Sequence, residues 1–270
     1  MGQADAARLL TTQFARTLQA PFSRALRDFR MVSADDHIAV CISGGKDSML
    51  LALLLQNWQR YSKIPFTLTF LAMDPGYTPA YRAHITQNAK TLGIELVFFE
   101  TNILRIVTNH AAEHPCFLCA KMRRGHLYAH AKALGCNKIA LGHHYDDVVE
   151  TTLMGLLYGG QVQAMLPRVQ SKNYPGMELI RPLYYLKEED IARWAQQARL
   201  EFLPCGCPAA VRRENTKRAE IKSLIAELSL YNPQVKANIF HAVGSIDVEK
   251  VMGWRRGQGE KHSFLDKFDS

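Results

Sequence analysis

Six residues, Ser43-Gly44-Gly45-Lys46-Asp47-Ser48, constrain this chain more than any other stretch. They follow an apolar run, His37-Ile38-Ala39-Val40-Cys41-Ile42, that reads as a buried strand. They precede Met49-Leu50-Leu51-Ala52-Leu53-Leu54-Leu55, strong helix formers that are apolar on every face. A strand, a glycine turn and a helix N-terminus together make an anion site. Two glycines let the backbone approach a phosphate, and the N–H groups of the first helical turn point at it. Ser43 and Ser48 add hydroxyls and Lys46 a cation, none of which a plain strand-to-helix turn requires.

The elements that follow say what kind of sheet this loop belongs to. Residues 66–73 read as a second strand, and Asp74-Pro75-Gly76 turns the chain into a helix over 79–92 that Gly93 ends. A third strand follows over 95–99. A basic helix then runs to about residue 134, and a strand over 138–141 leads through Gly142-His143-His144-Tyr145-Asp146-Asp147 into a helix over 148–157. Strands alternating with helices at this spacing predict an α/β fold, an open and mostly parallel sheet with helices on both faces. The loop, Asp74 and the ends of the later strands should meet at the carboxyl edge, where such sheets bind ligands. Asp146 and Asp147 suit a helix start by capping alone, and their edge position equally suits a ligand contact.

The flanks read as helical. Residues 1–34 place Phe14, Leu18, Phe22, Leu26 and Phe29 at helical spacing, with Pro21 as a break or a first-turn residue. Arg16, Arg24, Arg27 and Arg30 there read as a solvated face before an RNA contact. Residues 161–176 read as a surface loop, placed to act as a lid. Residues 178–186 read as extended, 187–198 as an amphipathic helix with an acidic first turn, 212–230 as a basic helix and 233–243 as a last helix. The domain reading is 1–34 helical, 35–205 the phosphate-loop unit, 206–250 helical, and 251–270 a poorly ordered tail.

The chain has 270 residues, 47% of them hydrophobic and 21% charged, as in an ordinary globular protein. No stretch approaches the roughly 20 apolar residues of a membrane span, and the first residues lack a signal-peptide layout, so a cytoplasmic protein with no membrane partner is expected. Lys plus Arg total 33 against 25 Asp plus Glu, and this excess of +8 suits a polyanionic partner.

Six cysteines in such a chain argue for metal or redox chemistry rather than a disulfide scaffold. Cys116-Phe-Leu-Cys119 and Cys205-Gly-Cys207 could supply four zinc ligands, or three of the four cysteines could hold a cubane cluster with one iron open. Spacing does not choose between these. Cys41 in a strand and Cys136 in a helix-ending turn read as structural.

The motifs are also recognisable as a set. Ser43-Gly44-Gly45-Lys46-Asp47-Ser48 resembles the SGGxDS pyrophosphate loop of the N-type ATP pyrophosphatases, the PP-loop superfamily of adenine nucleotide alpha-hydrolase type. Cys116 to Gly125, Lys138 to Asp147 with Glu150-Thr151, Tyr158-Gly159-Gly160, Arg181-Pro182-Leu183 and Leu203-Pro204-Cys205 follow in the order seen in the tRNA 2-thiocytidine synthetase family. The resemblance spans about residues 15–245. It implies an ATP-dependent tRNA sulfurtransferase acting on cytidine 32, with ATP, Mg²⁺ and a [4Fe–4S] cluster. It also implies a homodimer supplied with sulfur by a donor protein such as a cysteine desulfurase. Cys116, Cys119 and Cys205 match the cluster ligands. Where the family usually has a second CxxC this chain has Cys205-Gly206-Cys207, one residue shorter; the local context favours Cys205, and Cys207 is an alternative ligand or a bystander thiol.

On this reading the loop, Met73 and Gly142 contact ATP. Asp47 holds Mg²⁺ or a water, and Arg123, one helical turn after Cys119, stands between cluster and phosphate. Asp146 or Asp147 orients the nucleotide or shuttles a proton. Lys121, Arg124, Arg168, Lys172, Arg212 and Arg213 are the expected RNA contacts. Rival readings are a loop-sharing enzyme without sulfur chemistry, which needs no cysteines at these places, a uridine thiolase, and a nucleotide-binding iron–sulfur protein without catalysis.

Overall fold

The computed structural model describes residues 2–103, 115–203, 217–255, 257 and 259–268, with residues 115–121 and 267 described by backbone alone. Strand β1 (Asp36–Ile42) lies at the centre of a six-stranded sheet. The other strands are β2 (Phe66–Asp74), β3 (Leu96–Glu100), β4 (Lys138–Ala140), β5 (Arg168–Gln170) and β6 (Glu178–Ile180). Their order is β3-β2-β1-β4-β6-β5, with every pairing parallel except β5 on β6. The chain builds outward from β1 through β2 to β3, then crosses back to place β4 on the other side of β1. The strand order therefore reverses between β1 and β4, the place where such sheets open a ligand crevice.

Period-two alternation sorts the β1 side chains between two cores. Ile38, Val40 and Ile42 join Phe66, Phe70 and Ala72 on one face, while Ala39 and Cys41 join Leu71, Met73 and Ile139 on the other. The first face is covered by helix α3 (Lys46–Tyr61), in which every residue from Ser48 to Leu55 is buried. No helix can bury all its sides against a sheet alone. The outer side of α3 is closed by α1 (Gln3–Thr11), a π-turn over Ala15–Gln19, α2 (Ala20–Asp28) and α7 (Glu188–Gln197), which place Leu10, Leu18, Phe22 and Trp194 in the same core. Pro21 lies in the first turn of α2 and lacks an amide hydrogen, and the wider π pitch falls just before it. The second face is covered by α5 (Pro115–Ala133), which contributes Tyr128 and Ala131. Helix α4 (Pro79–Thr91) is capped by the Thr78 hydroxyl, which accepts from the Tyr81 amide.

Helix α6 (Tyr145–Gly159) follows β4, and α8 (Lys217–Tyr231) and α9 (Val235–Ala242) pack against it. Val149 meets Ile221 and Ile225, and Tyr145 stacks on Phe240 with ring centroids 4.6 Å apart. Two stretches differ from the sequence reading. Residues 161–176 are not all loop, because Arg168–Gln170 pairs antiparallel with β6 and ends the sheet. The tail read as poorly ordered carries a ribbon of Gly253–Arg255 on Lys261–Ser263, where Trp254 stacks on His262. Both are three-residue strands made by pairing, too short to show an alternating pattern. Among the described residues no helix is long and apolar enough to cross a membrane.

At the amino end of the sheet one lysine is fully buried. The Lys138 ammonium lies 2.6 Å from Asp36 Oδ2 and 3.5 Å from Glu178, and donates to the Met31 carbonyl at 3.0 Å. Asp36 also accepts from the Ser33 amide and from Asn137. The pair ties β1, β4 and β6 to the turn before β1, and both side chains are buried. Lys138→Met is expected to cost about 3–5 kcal/mol in urea unfolding, because it strands the Asp36 carboxylate. A double variant Lys138→Met/Asp36→Leu should recover a large part of that loss.

Candidate active site

The carboxyl ends of β1, β2 and β4 enclose a cavity of about 300 Å³. Its walls include Ser43, Asp47, Ser48, Met73, Arg123 and Gly142, six of the residues expected at the nucleotide. They come from four separate segments that only this sheet order brings together. The loop is already folded. Ser48 Oγ accepts from the Ser43 amide and hydroxyl, each at 3.2 Å, and donates to the Gly45 carbonyl at 2.9 Å. Gly44 has φ +86°, and a Cβ there would sit 2.6 Å from Ile85, so both backbone and space demand glycine. Gly45 is the N-cap of α3 and has no side chain to cap the first-turn amides, an arrangement suited to an anion. Gly142 is constrained by space alone: a Cβ there would lie 3.2 Å from the backbone of Asp47 and Ser48, a tight contact.

Charge around the loop is arranged in chains. Lys46 Nζ lies 3.2 Å from Asp47 and 3.4 Å from Glu188, and Glu188 is also 2.7 Å from Lys222 of α8. Burial alone would raise the Glu188 carboxyl, but Lys222 and Lys46 outweigh it and bring the pKa down to about 2. The two neighbouring aspartates divide. Asp147 lines the cavity, accepts from the His144 amide at 3.0 Å and lies 3.2 Å from Arg218. Asp146 is not among the cavity's lining residues. It accepts from the Glu188 amide at 2.8 Å and pairs with Lys236 at 2.7 Å, fastening α7 and α9 to α6. Asp74 is likewise engaged locally, accepting from the amides of Gly76 and Tyr77.

His143 and Tyr77 line the cavity and were not singled out by sequence. The signal was present for His143, which stands between a strand end and a helix start. Burial, with Arg181 next in weight, pushes its pKa down to about 4, so it is neutral at pH 7. Its Nδ1 has no hydrogen-bond partner among the described residues. Cys41 also lines the cavity, and burial pushes its thiol up to about 12, which keeps it protonated and inert.

The expected RNA contacts divide as well. Arg124 and Lys172 line a second, larger cavity. Arg168 donates from two nitrogens to Glu178, at 2.9 and 2.7 Å, and from the third to the Arg30 carbonyl. Cys205, Cys207, Arg212 and Arg213 lie outside the described residues, as do the side chains of Cys116, Cys119 and Lys121, whose backbone belongs to α5. Among the described residues no cluster of His, Cys, Asp and Glu makes a metal site.

A histidine held neutral binds fewer protons folded than unfolded, so its contribution to stability is present above its unfolded pKa of about 6.5 and is lost as pH falls toward 4. The urea midpoint of the wild type should fall across that window more steeply than that of His143→Asn. Parallel curves would overturn the assignment.

Comparison with known proteins agrees with this geometry. Residues 10–204 match the family model of the PP-loop domain. A tRNA-cytidine(32) 2-sulfurtransferase of Anaeromyxobacter dehalogenans is 38% identical over 234 residues, covering 86% of this chain and 79% of the relative. A protein of the same name from Syntrophotalea carbinolica is 35% identical over 240 residues, covering 88% and 92%. In structure the chain is similar to the U34-tRNA thiolase NcsA from Methanococcus maripaludis, solved with its [4Fe–4S] cluster. The TM-score is 0.65 at 20% identity, over 84% of this chain and 78% of that one, a likeness of fold. With its pyrophosphate loop, its switch-point cavity and these relatives, the chain belongs to the tRNA-cytidine(32) 2-sulfurtransferase family of PP-loop proteins.

Proposed function

We propose that this chain is an ATP-dependent tRNA sulfurtransferase that transfers AMP to the C2 oxygen of cytidine 32 and replaces that oxygen with sulfur. One observation carries the reading: the pyrophosphate loop, Arg123 and Asp147 converge on one cavity, and Arg123 extends from the helix that bears Cys116 and Cys119. A C2 carbonyl is a poor electrophile because its oxygen leaves badly, and an adenylated oxygen leaves well. The amides at the start of α3 and the Gly44–Gly45 backbone bind the departing pyrophosphate, and Lys46 neutralises it. Asp47 and Asp147, the two carboxylates of the cavity, suit a Mg²⁺ ion that is otherwise held by phosphate oxygens. Arg123 balances charge developing at the α-phosphate. Neutral His143 adds no further positive charge to the cavity.

Positions 116 and 119 lie one helical turn apart on α5, and a set of three thiolates suits iron–sulfur ligation. Cys116, Cys119 and Cys205 would hold a [4Fe–4S] cluster, which supplies the sulfur nucleophile for C2. Residues 35–205 form the catalytic unit, flanked by helical segments 1–34 and 206–250. A cytoplasmic homodimer fed by a sulfur-donor protein completes the reading.

Mass spectrometry of tRNA nucleosides from cells with and without the gene tests the function. 2-Thiocytidine should disappear on deletion, and an unchanged level would sink the proposal. Purified Arg123→Ala should retain the fold and lose roughly 10²-fold in kcat. After anaerobic purification Cys205→Ser should lose its iron while Cys207→Ser keeps it; the reverse pattern would exchange their roles.

A further inference from the structure

The larger cavity, about 960 Å³, is lined by side chains that the adenylation step does not use. Arg181 follows β6 and is only 7% exposed. One of its terminal nitrogens donates to the Leu166 carbonyl, and its side chain makes no other hydrogen bond among the described residues. Its Nε is buried and unpartnered. A donor left in this state is costly to bury, so folding has not used up the hydrogen-bonding capacity of this guanidinium. Arg124 and Lys172 line the same cavity and are exposed, and no carboxylate stands among its described lining residues. Three cations therefore face one space with no carboxylate in its described lining to pair them. Tyr128 and Tyr174 form an aromatic wall, stacked at 5.1 Å and 10°, with the Tyr174 hydroxyl donating to the Gly125 carbonyl. Val169 on edge strand β5 adds an apolar surface.

Size separates the two cavities. At about 300 Å³ the first lies at the lower end of what a small-molecule site needs, and the nucleotide loop already lines it. The second has room for an RNA nucleotide. The two adjoin, because the consecutive residues Arg123 and Arg124 of α5 line the first and the second. Loop bases in RNA are read when pulled from the stack, on their pairing edges and against aromatic surfaces.

We infer that the larger cavity receives the extruded acceptor nucleotide, with Arg181 donating to N3 and O2 of cytosine and Arg124 and Lys172 holding the flanking phosphates. The inference rests on the proposed RNA substrate and goes beyond it by assigning the choice of base. Arg181 can only donate. Cytosine offers two acceptors side by side at N3 and O2, whereas uracil presents an N3–H donor that would oppose the guanidinium. The second oxygen lone pair at O2 stays free for AMP.

Fluorescence anisotropy of the full chain with anticodon stem–loops carrying cytidine, uridine or an abasic site at the acceptor position tests this, with no ATP present. Wild type should bind the cytidine form about tenfold more tightly than the other two. Arg181→Met should reduce the cytidine form to the uridine level while leaving affinity for a fluorescent ATP analogue within about twofold. Because Arg181 is buried, Val169→Trp serves as a second variant. It fills the cavity from an exposed strand and should abolish the same preference. Lys172→Ala should weaken all three RNAs alike and lower the salt slope by about one. Retention of the cytidine preference in both Arg181→Met and Val169→Trp would overturn the assignment, as would a wild type that binds all three RNAs equally. Wild type that binds no stem–loop would instead strike at the RNA substrate itself.

Discussion

The approach of α3 to the end of β4 governs the rest of the site. Gly142 meets the backbone of Asp47 and Ser48 so closely that a methyl group would press on both. That contact sets the first turn of α3, and so the direction of its amides, against the strand on the other side of the crevice. The crevice exists because the chain reverses between β1 and β4. It stays narrow because a residue without a side chain holds it so. Gly44 does the same on the opposite flank, where Ile85 of α4 fills the space that a Cβ would need. The loop is thus gripped by α4 and β4, and the Ser48 hydroxyl closes it from within.

Much of this was legible before the structure. A strand–glycine–helix signal with serines and a lysine has one strong physical reading, and the alternation of elements predicted the parallel sheet and its carboxyl-edge site. Met73, Arg123 and Gly142, far apart in sequence, do meet the loop. The division between Asp146 and Asp147 was not legible. Adjacent residues share composition and context, but a helix turns about 100° per residue, so one carboxylate enters the cavity and the other fastens two helices behind it. Glu188 was read only as first-turn charge, because nothing local reveals that Lys46 lies beside it across 142 positions. Strand β5 escaped notice because three residues carry no period, and its order comes from β6.

Arg168 shows how composition misleads. An excess of basic residues suggests a polyanion, yet this arginine is bound to Glu178 on the neighbouring strand and to a backbone carbonyl. Arg181 lies deeper, lacks a carboxylate partner and lines open space. The difference between a structural and a functional arginine here is whether folding has already paired it.

The run Lys46–Glu188–Lys222 has a thermodynamic consequence. Glu188 sits between a lysine of the nucleotide loop and a lysine of a helix that lies outside the matched PP-loop residues. An anion arriving at Lys46 competes with Glu188 for that ammonium, which leaves Glu188 more fully to Lys222. Occupancy of the loop and docking of α8 then share one coupling free energy, and linkage makes it reciprocal. Whatever holds α8 in place will be felt at the loop with equal magnitude, so the C-terminal helices belong to the binding isotherm as much as the glycines do.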